Sequence, residues 1–213
     1  MFHVEHCDLT YQQFASYVDV SRETYDKLKI YHQILTKWQP KINLVSRKTL
    51  GNVWERHFLD SAQVFSLILN PDWITFDLGS GGGFPGLVLS IMGIKNIHLI
   101  ESDQRKCSFL LEVIRQTGAT AQVHNQRIEE TVKTLGTADV ITSRACAPLH
   151  QLLQWSEPLL KPHSKLLLLK GKSWMEELGE AQKDWQFEYE KRNSLIDTES
   201  VILEITHLKK RVP

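Results

Sequence analysis

Between Ile74 and Gly86 the chain reads Ile-Thr-Phe-Asp-Leu-Gly-Ser-Gly-Gly-Gly-Phe-Pro-Gly, an extended segment that passes a carboxylate, enters a glycine-rich turn and starts a helix. Thr75 and Phe76 favour a pleated strand, the glycines admit positive φ and close backbone approach, and Pro85 has the fixed φ of a first helical position. A ligand can then lie on bare backbone at a helix N-terminus. The downstream sequence continues the same pattern. Apolar runs at Trp73 to Leu78, Ile97 to Glu101, Thr120 to His124, Asp139 to Thr142 and Leu166 to Lys170 alternate with helical stripes. One stripe is Cys107, Leu110, Leu111 and Ile114, and another, opened by Pro148, is Leu149, Leu152, Leu153 and Leu160. This alternation predicts an α/β fold with parallel strands, right-handed crossovers and helices on both faces of the sheet. Gln186 to Lys191 and Ser200 to His207 read as two last strands, including an antiparallel edge, which makes seven.

The first 70 residues have a different period. From Ser21, a suitable N-cap, Leu28, Tyr31, Ile34, Leu35 and Trp38 recur at helical spacing until Pro40, and Leu50, Trp54, Phe58, Ala62 and Phe65 predict a second helix. Residues 1–70 are therefore expected to form a helical extension packed on a main domain at 71–213. With 213 residues, 42% of them hydrophobic, the chain can build one core but not two full domains.

The 25 basic and 25 acidic side chains cancel, so binding to nucleic acid has to use a local patch. Cys7, Cys107 and Cys146 are odd in number and far apart, which disfavours a disulfide framework and a zinc site. No metal site is expected. The first residues lack the basic and long apolar segments of a secretory signal, and no apolar run approaches about 18 residues. These features lead us to expect a cytoplasmic protein with no membrane partner.

Two cofactor classes fit the turn. Gly81 to Gly86 satisfies G-x-G-x-x-G, while Asp77 to Gly83 satisfies acid-x-G-x-G-x-G. A dinucleotide places its pyrophosphate on the turn, and a carboxylate directly before it would oppose that charge. S-adenosylmethionine has no phosphate, carries a sulfonium and an ammonium, and is favoured by the negative potential of Asp77. Gly79, Gly81 and Gly83 would supply the bare backbone. Glu101, at the end of the next apolar run, has the spacing of a carboxylate that accepts two ribose hydroxyls. The plainer alternative for Glu101 is a strand-end acid capping the helix that begins near Asp103.

Phe76 to Gly86, with Arg56-His57-Phe58-Leu59-Asp60-Ser61 before it and Ser143-Arg144-Ala145 after it, closely resembles the bacterial small-subunit rRNA methyltransferase G family, formerly glucose-inhibited division protein B. The resemblance runs from about Trp38 to Gly171. It implies a Rossmann-like class I S-adenosylmethionine-dependent methyltransferase with a mostly parallel seven-stranded sheet. It also implies methylation of guanine N7 in a decoding-region loop of 16S rRNA, on the rRNA itself or on a small-subunit assembly particle, with S-adenosylhomocysteine as product. A monomer would suffice. By the same resemblance Gly79, Phe84, the Ile128-Glu129 pair and Arg144 contact the cofactor. An apolar side chain beside a carboxylate can sandwich adenine and accept from its amino group; a buried Ile128 beside a solvated Glu129 at a helix start is the bland alternative. Gly82 stands where alanine is usual, and Cys146-Ala147-Pro148 stands where a bulkier aromatic is common.

Guanine N7 has an in-plane lone pair and no proton, so in-line displacement needs positioning rather than a general base, and no catalytic residue is named. Ser143-Arg144-Ala145-Cys146 differs from the Asn-Pro-Pro-aromatic element of adenine amine methylation. Cys146 keeps open a thiolate route to cytosine C5. A nicotinamide oxidoreductase and a silent nucleotide-binding module are the competing classes. Arg144 is expected to position the cofactor or meet guanine O6 or phosphate, with an ion pair to Asp139 as the simpler role. Arg56 and Asp60 fit an i,i+4 helix pair. Lys37, Lys41, Arg47, Lys48, Arg105, Lys106 and the Lys209-Lys210-Arg211 tail are candidate RNA contacts, with Lys170 and Lys172 preferred for their place at the sheet edge.

Overall fold

The computed structural model describes residues 9–211. Its sheet has the order β3-β2-β1-β4-β5-β7-β6, formed by β1 (Thr75–Leu78), β2 (Ile97–Glu101), β3 (Gln122–Asn125), β4 (Ala138–Arg144), β5 (Leu160–Lys170), β6 (Trp185–Asn193) and β7 (Val201–Lys210). Strands β1 to β5 pair in parallel, and β7 runs antiparallel to β5 and β6. The expected strands are all present, and β5 starts six residues earlier than its apolar run. The strand order reverses at β1, so the carboxyl ends of β1, β2 and β4 open the crevice in which such a sheet binds ligands.

Successive residues of β5 face opposite layers, as pleating requires. Leu167 and Leu169 join Ile97, Leu99 and Val140 beneath α4 (Gly86–Met92), α5 (Gln104–Thr117) and the amino-terminal helices. Leu166 and Leu168 join Phe76, Leu78 and Ile141 beneath α7 (Leu149–Ser156) and α8 (Trp174–Asp184), with α6 (Thr131–Leu135) at the side. Pro85 directly precedes α4, after a cis peptide with Phe84, and is not its first helical residue.

In the amino-terminal layer, α1 (Tyr11–Ala15) is followed by α2 (Arg22–Trp38), which Ser21 caps by accepting from the Thr24 amide. Helix α2 buries Tyr25, Leu28, Tyr31 and Leu35 and stops before Pro40. The Gln39 side chain accepts from the Leu44 and Val45 amides and donates to the Val45 carbonyl, folding the next loop back against the sheet layer. The single helix expected over Leu50 to Phe65 does not form. The chain runs instead through a 3-10 turn at Arg47–Asn52, a π-helical turn at Trp54–Leu59, the short α3 (Asp60–Ala62) and a 3-10 turn at Phe65–Leu67. Gly51 and Asn52 are weak helix formers. The wider π turn buries Trp54, His57, Phe58 and Leu59 together, against Phe14, Tyr31 and Phe84.

Among the described residues no helix is long and apolar enough to cross a membrane, and no group of His, Cys, Asp and Glu could hold a metal ion. Cys107 and Cys146 are free thiols, and Cys7 lies outside the described residues.

Candidate active site

The glycine turn is held by its own backbone. Gly79 and Ser80 amides both donate to the Ile100 carbonyl at 3.0 Å, and the Gly83 amide donates to the Ser80 carbonyl at 2.7 Å. Gly79 has φ +67°, and a Cβ there would lie 2.9 Å from Cys146 Cβ and well inside the van der Waals shell of its sulfur. The amino-terminal layer presses on the other side. Tyr31 donates its hydroxyl to the Gly82 carbonyl and stacks on Phe84 with ring centroids 5.2 Å apart. A Cβ on Gly82 would meet the Leu44 carbonyl oxygen at 2.9 Å, so a side chain there would require the Leu44 loop to shift.

A cleft of about 900 Å³ opens over the turn. Gly79, Gly81, Phe84, Glu101, Ile128, Glu129 and Arg144 line it. Gly83 does not; it packs beneath, against Tyr31, Leu87 and Leu110. Asp77 also lies beneath, fully buried, where its Oδ1 accepts from Thr142 Oγ1 at 2.8 Å. Its Oδ2 has no hydrogen bond of ordinary geometry, although the Gly86 amide is near enough to favour the ionised form. Burial outweighs these contacts and raises the carboxyl to about 6.

That shift has a defined sign. Folding disfavours the Asp77 carboxylate, so the cost is full above pH 6 and disappears as the folded state takes up its proton between pH 6 and 4. From 3.8 to about 6 the cost is roughly 3 kcal/mol. Relative to Asp77→Asn, the wild type is expected to gain about that much stability between pH 8 and pH 4. Urea unfolding of both proteins at the two pH values measures it, and a pH-independent difference would contradict the assignment.

Glu101 holds the turn. Its Oε2 accepts from the Gly81 amide at 2.9 Å and its Oε1 from the Asp103 amide at 2.7 Å. Asp103, not Glu101, caps α5 by accepting from the Arg105 and Lys106 amides, so helix capping does not account for Glu101. Each of its oxygens thus accepts one hydrogen bond and retains a second lone pair, and the residue lines the cleft. Ile128 begins a 3-10 turn and packs partly against the Phe76 layer, while Glu129 beside it is exposed.

Arg144 ties the sheet to the amino-terminal layer. Its Nη1 donates to the Arg56 carbonyl at 2.9 Å and to Asp60 Oδ2 at 3.4 Å, its Nη2 donates to His57 Nδ1 at 2.7 Å, and its guanidinium carbon lies 4.9 Å from the Phe84 centroid. The alternative ion pair to Asp139 is absent: Asp139 pairs with Lys161 at 2.6 Å. Arg56 and Asp60 do not pair either. Tertiary partners take both groups instead: Arg56 reaches Asp197 at 2.6 Å and Asp60 accepts from Arg144. Lys170, a preferred RNA contact, is buried and paired with Glu177 at 2.5 Å, and Lys172 pairs with Glu199. Burial, then the nearby Asp77 and Glu101 carboxylates, push the Cys146 thiol up, which works against a nucleophilic thiolate. Tyr31, Leu44 and Thr49 contribute to the site without a motif of their own. Tyr31 and Leu44 meet Gly82, too far along the chain to leave a periodic trace, while Thr49 joins Ser46 and His57 nearby.

Comparison with known proteins agrees with this architecture. Ribosomal protein L11 methylase from Lactobacillus delbrueckii subsp. bulgaricus superposes with a TM-score of 0.57 at 13% identity, over 71% of this chain and 78% of that one. Precorrin-6y C5,15-methyltransferase from Geobacter metallireducens gives 0.53 at 14% identity, over 79% and 92%. The fold is the expected Rossmann-like class I methyltransferase fold. Ribosomal RNA small subunit methyltransferase G of Rhodospirillum centenum is 46% identical over 198 residues, covering 93% of this chain and 91% of the relative. The corresponding protein of Paramagnetospirillum magneticum is 46% identical over 191 residues, covering 90% and 92%. The family model described as rRNA small subunit methyltransferase G matches residues 24–206, across the amino-terminal layer and the sheet alike. The chain therefore belongs to the rRNA small subunit methyltransferase G family.

Proposed function

We propose that the cleft binds S-adenosylmethionine and that the protein methylates N7 of a guanine in 16S rRNA, in the cytoplasm, on the rRNA or on a small-subunit assembly particle. The observation that carries the cofactor is the bare turn over a buried carboxylate. A Cβ at Gly79 would collide with Cys146, which keeps the backbone of the turn bare, and ionised Asp77 beneath the turn favours a cationic ligand over a pyrophosphate. The residues present therefore fit the group: Gly79, Gly81 and Phe84 border it, Glu101 offers carboxylate lone pairs to ribose hydroxyls, and Ile128 and Glu129 offer an apolar wall and an acceptor to adenine. When bound, the cofactor supplies a methyl group on a sulfonium, already an activated leaving group.

The protein has positioning to do and no proton to remove. Guanine N7 needs no base, and the nearest histidine is unavailable as one: His57 has Nδ1 against Arg144 and Nε2 against Thr49. Equilibrium binding tests the cofactor, with S-adenosylhomocysteine expected to bind and NADH not. Mapping methylated bases in 16S rRNA from cells with and without the gene tests the acceptor. Guanine N7 methylation that persists without the gene counts against the assignment.

For RNA docking, three of the candidates that make no ion pair among the described residues lie at or beside the cleft. Lys106 lines it, and Arg47 and Lys48 are exposed beside its lining residues Ser46 and Thr49. Each phosphate contact contributes about 0.7 to 0.9 to the slope of log affinity against log salt. Replacing Arg47 and Lys48 together by Gln is expected to flatten that slope by about 1.5 for 16S rRNA fragments, without changing S-adenosylhomocysteine affinity. Lys172→Gln, which removes a paired charge, is expected to leave it alone.

A further inference from the structure

We propose that His57 is a positioning residue, a neutral acceptor locked between Thr49 and Arg144 that fixes the Arg144 guanidinium over Phe84 at the edge of the cleft. The hydrogen bonds determine its state. Arginine only donates, so His57 Nδ1, 2.7 Å from Arg144 Nη2, accepts. The proton is then on Nε2, which donates to Thr49 Oγ1 at 2.7 Å, and Thr49 passes its own proton to the Ser46 carbonyl at 2.8 Å. The chain of donors therefore has one direction, from Arg144 through His57 and Thr49 to the backbone.

The surroundings keep the ring neutral. Burial acts first, followed by the Arg144 and Arg56 cations, and together they lower the imidazole to about 3. The charged and titratable groups around it are Arg56 of the π turn, Arg144 of β4 and Asp60, whose carboxylate bonds Arg144. The Phe84 ring packs on its face. With Arg56 carbonyl, Asp60 and His57 as acceptors, three of the five guanidinium N–H groups are used, and the remainder have no partner among the described residues. A planar fork held on three points presents those remaining donors in one pose, which a reacting centre needs when its rate depends on alignment.

The inference rests on the methyltransferase reading, and its test separates the two. With the full-length protein and small-subunit rRNA, His57→Phe is expected to lower kcat about 30- to 100-fold with little change in rRNA KM, since a misplacement of about 1 Å costs on that order. His57→Asn, whose Oδ1 can replace Nδ1, is expected to recover most of the loss. Nitrogen NMR of the labelled wild type, without ligand, is expected to show an Nε2-protonated neutral ring from pH 8 to pH 5. A ring that titrates near 6.5 overturns the proposal, as does full activity in His57→Phe. Equal losses in His57→Phe and His57→Asn also overturn it, because they would indicate packing alone. If the wild type methylates no small-subunit rRNA, the methyltransferase reading itself fails, whatever the NMR shows.

Discussion

Gly79→Ala is expected to weaken S-adenosylhomocysteine binding by about 100-fold. Two costs combine at this position. The backbone is left-handed, with φ +67°, which costs a residue carrying Cβ about 1 to 2 kcal/mol. The new methyl would also lie 2.9 Å from Cys146 Cβ, so it must push the Ala145-Cys146 segment or the turn itself into the cleft. Overpacking of this kind costs about 1 to 3 kcal/mol, and each 1.4 kcal/mol transferred to binding is tenfold in affinity. Calorimetric titration measures the affinity and thermal unfolding measures how much of the cost falls on the fold. In a Cys146→Ala background the sulfur is gone and the Cβ contact remains, so adding Gly79→Ala is expected to cost about tenfold less than in the wild type. Additive effects of the two substitutions would show that the turn and the Cys146 segment do not press on each other.

Arg144→Lys is expected to reduce methylation by about 100-fold while leaving the protein folded. Lysine keeps the charge and can still reach Asp60, but an ammonium has no planar fork. It cannot serve the Arg56 carbonyl, Asp60 and His57 together while stacking on Phe84. Arg144→Met is the harsher change. It leaves Asp60, already pushed up by burial, without the cation that opposes that shift, and it is expected to destabilise by about 3 kcal/mol or more at neutral pH. Single-turnover methylation assays and urea unfolding distinguish the two variants. Wild-type methylation in Arg144→Lys would remove the guanidinium geometry from the site.

The periodic part of this structure was legible in the sequence. β2 (Ile97–Glu101) matches its apolar run residue for residue, and Ser21 caps α2 as its position before the stripe requires. The turn was legible because its glycines, Asp77 and Glu101 are local signals that close on one another. The readings that failed concern pairing across the chain. Arg56 was four residues from Asp60, yet its partner is Asp197. Arg144 was five residues from Asp139, yet it is held by Asp60 and His57. Lys170 emerges at the expected sheet edge, but the Glu177 carboxylate of α8 turns it inward. Charge partners are chosen by topology, and a single sequence carries no record of which helix folds over which strand end. The π turn misled for a related reason: its apolar residues satisfy an α-helical stripe, and only packing against Phe14, Tyr31 and Phe84 selects the wider winding.

Tyr31 on the Gly82 carbonyl and Leu44 against the same glycine join α2 and its loop to the floor of the cleft. Thermodynamic reciprocity follows from that contact. Where a ligand that tightens the turn also tightens the helix that grips it, linkage requires the reverse by the same free energy: whatever steadies the helix steadies the turn. The amino-terminal layer thus forms part of the floor of the cleft, so a change in its packing reaches the glycine turn through direct contact.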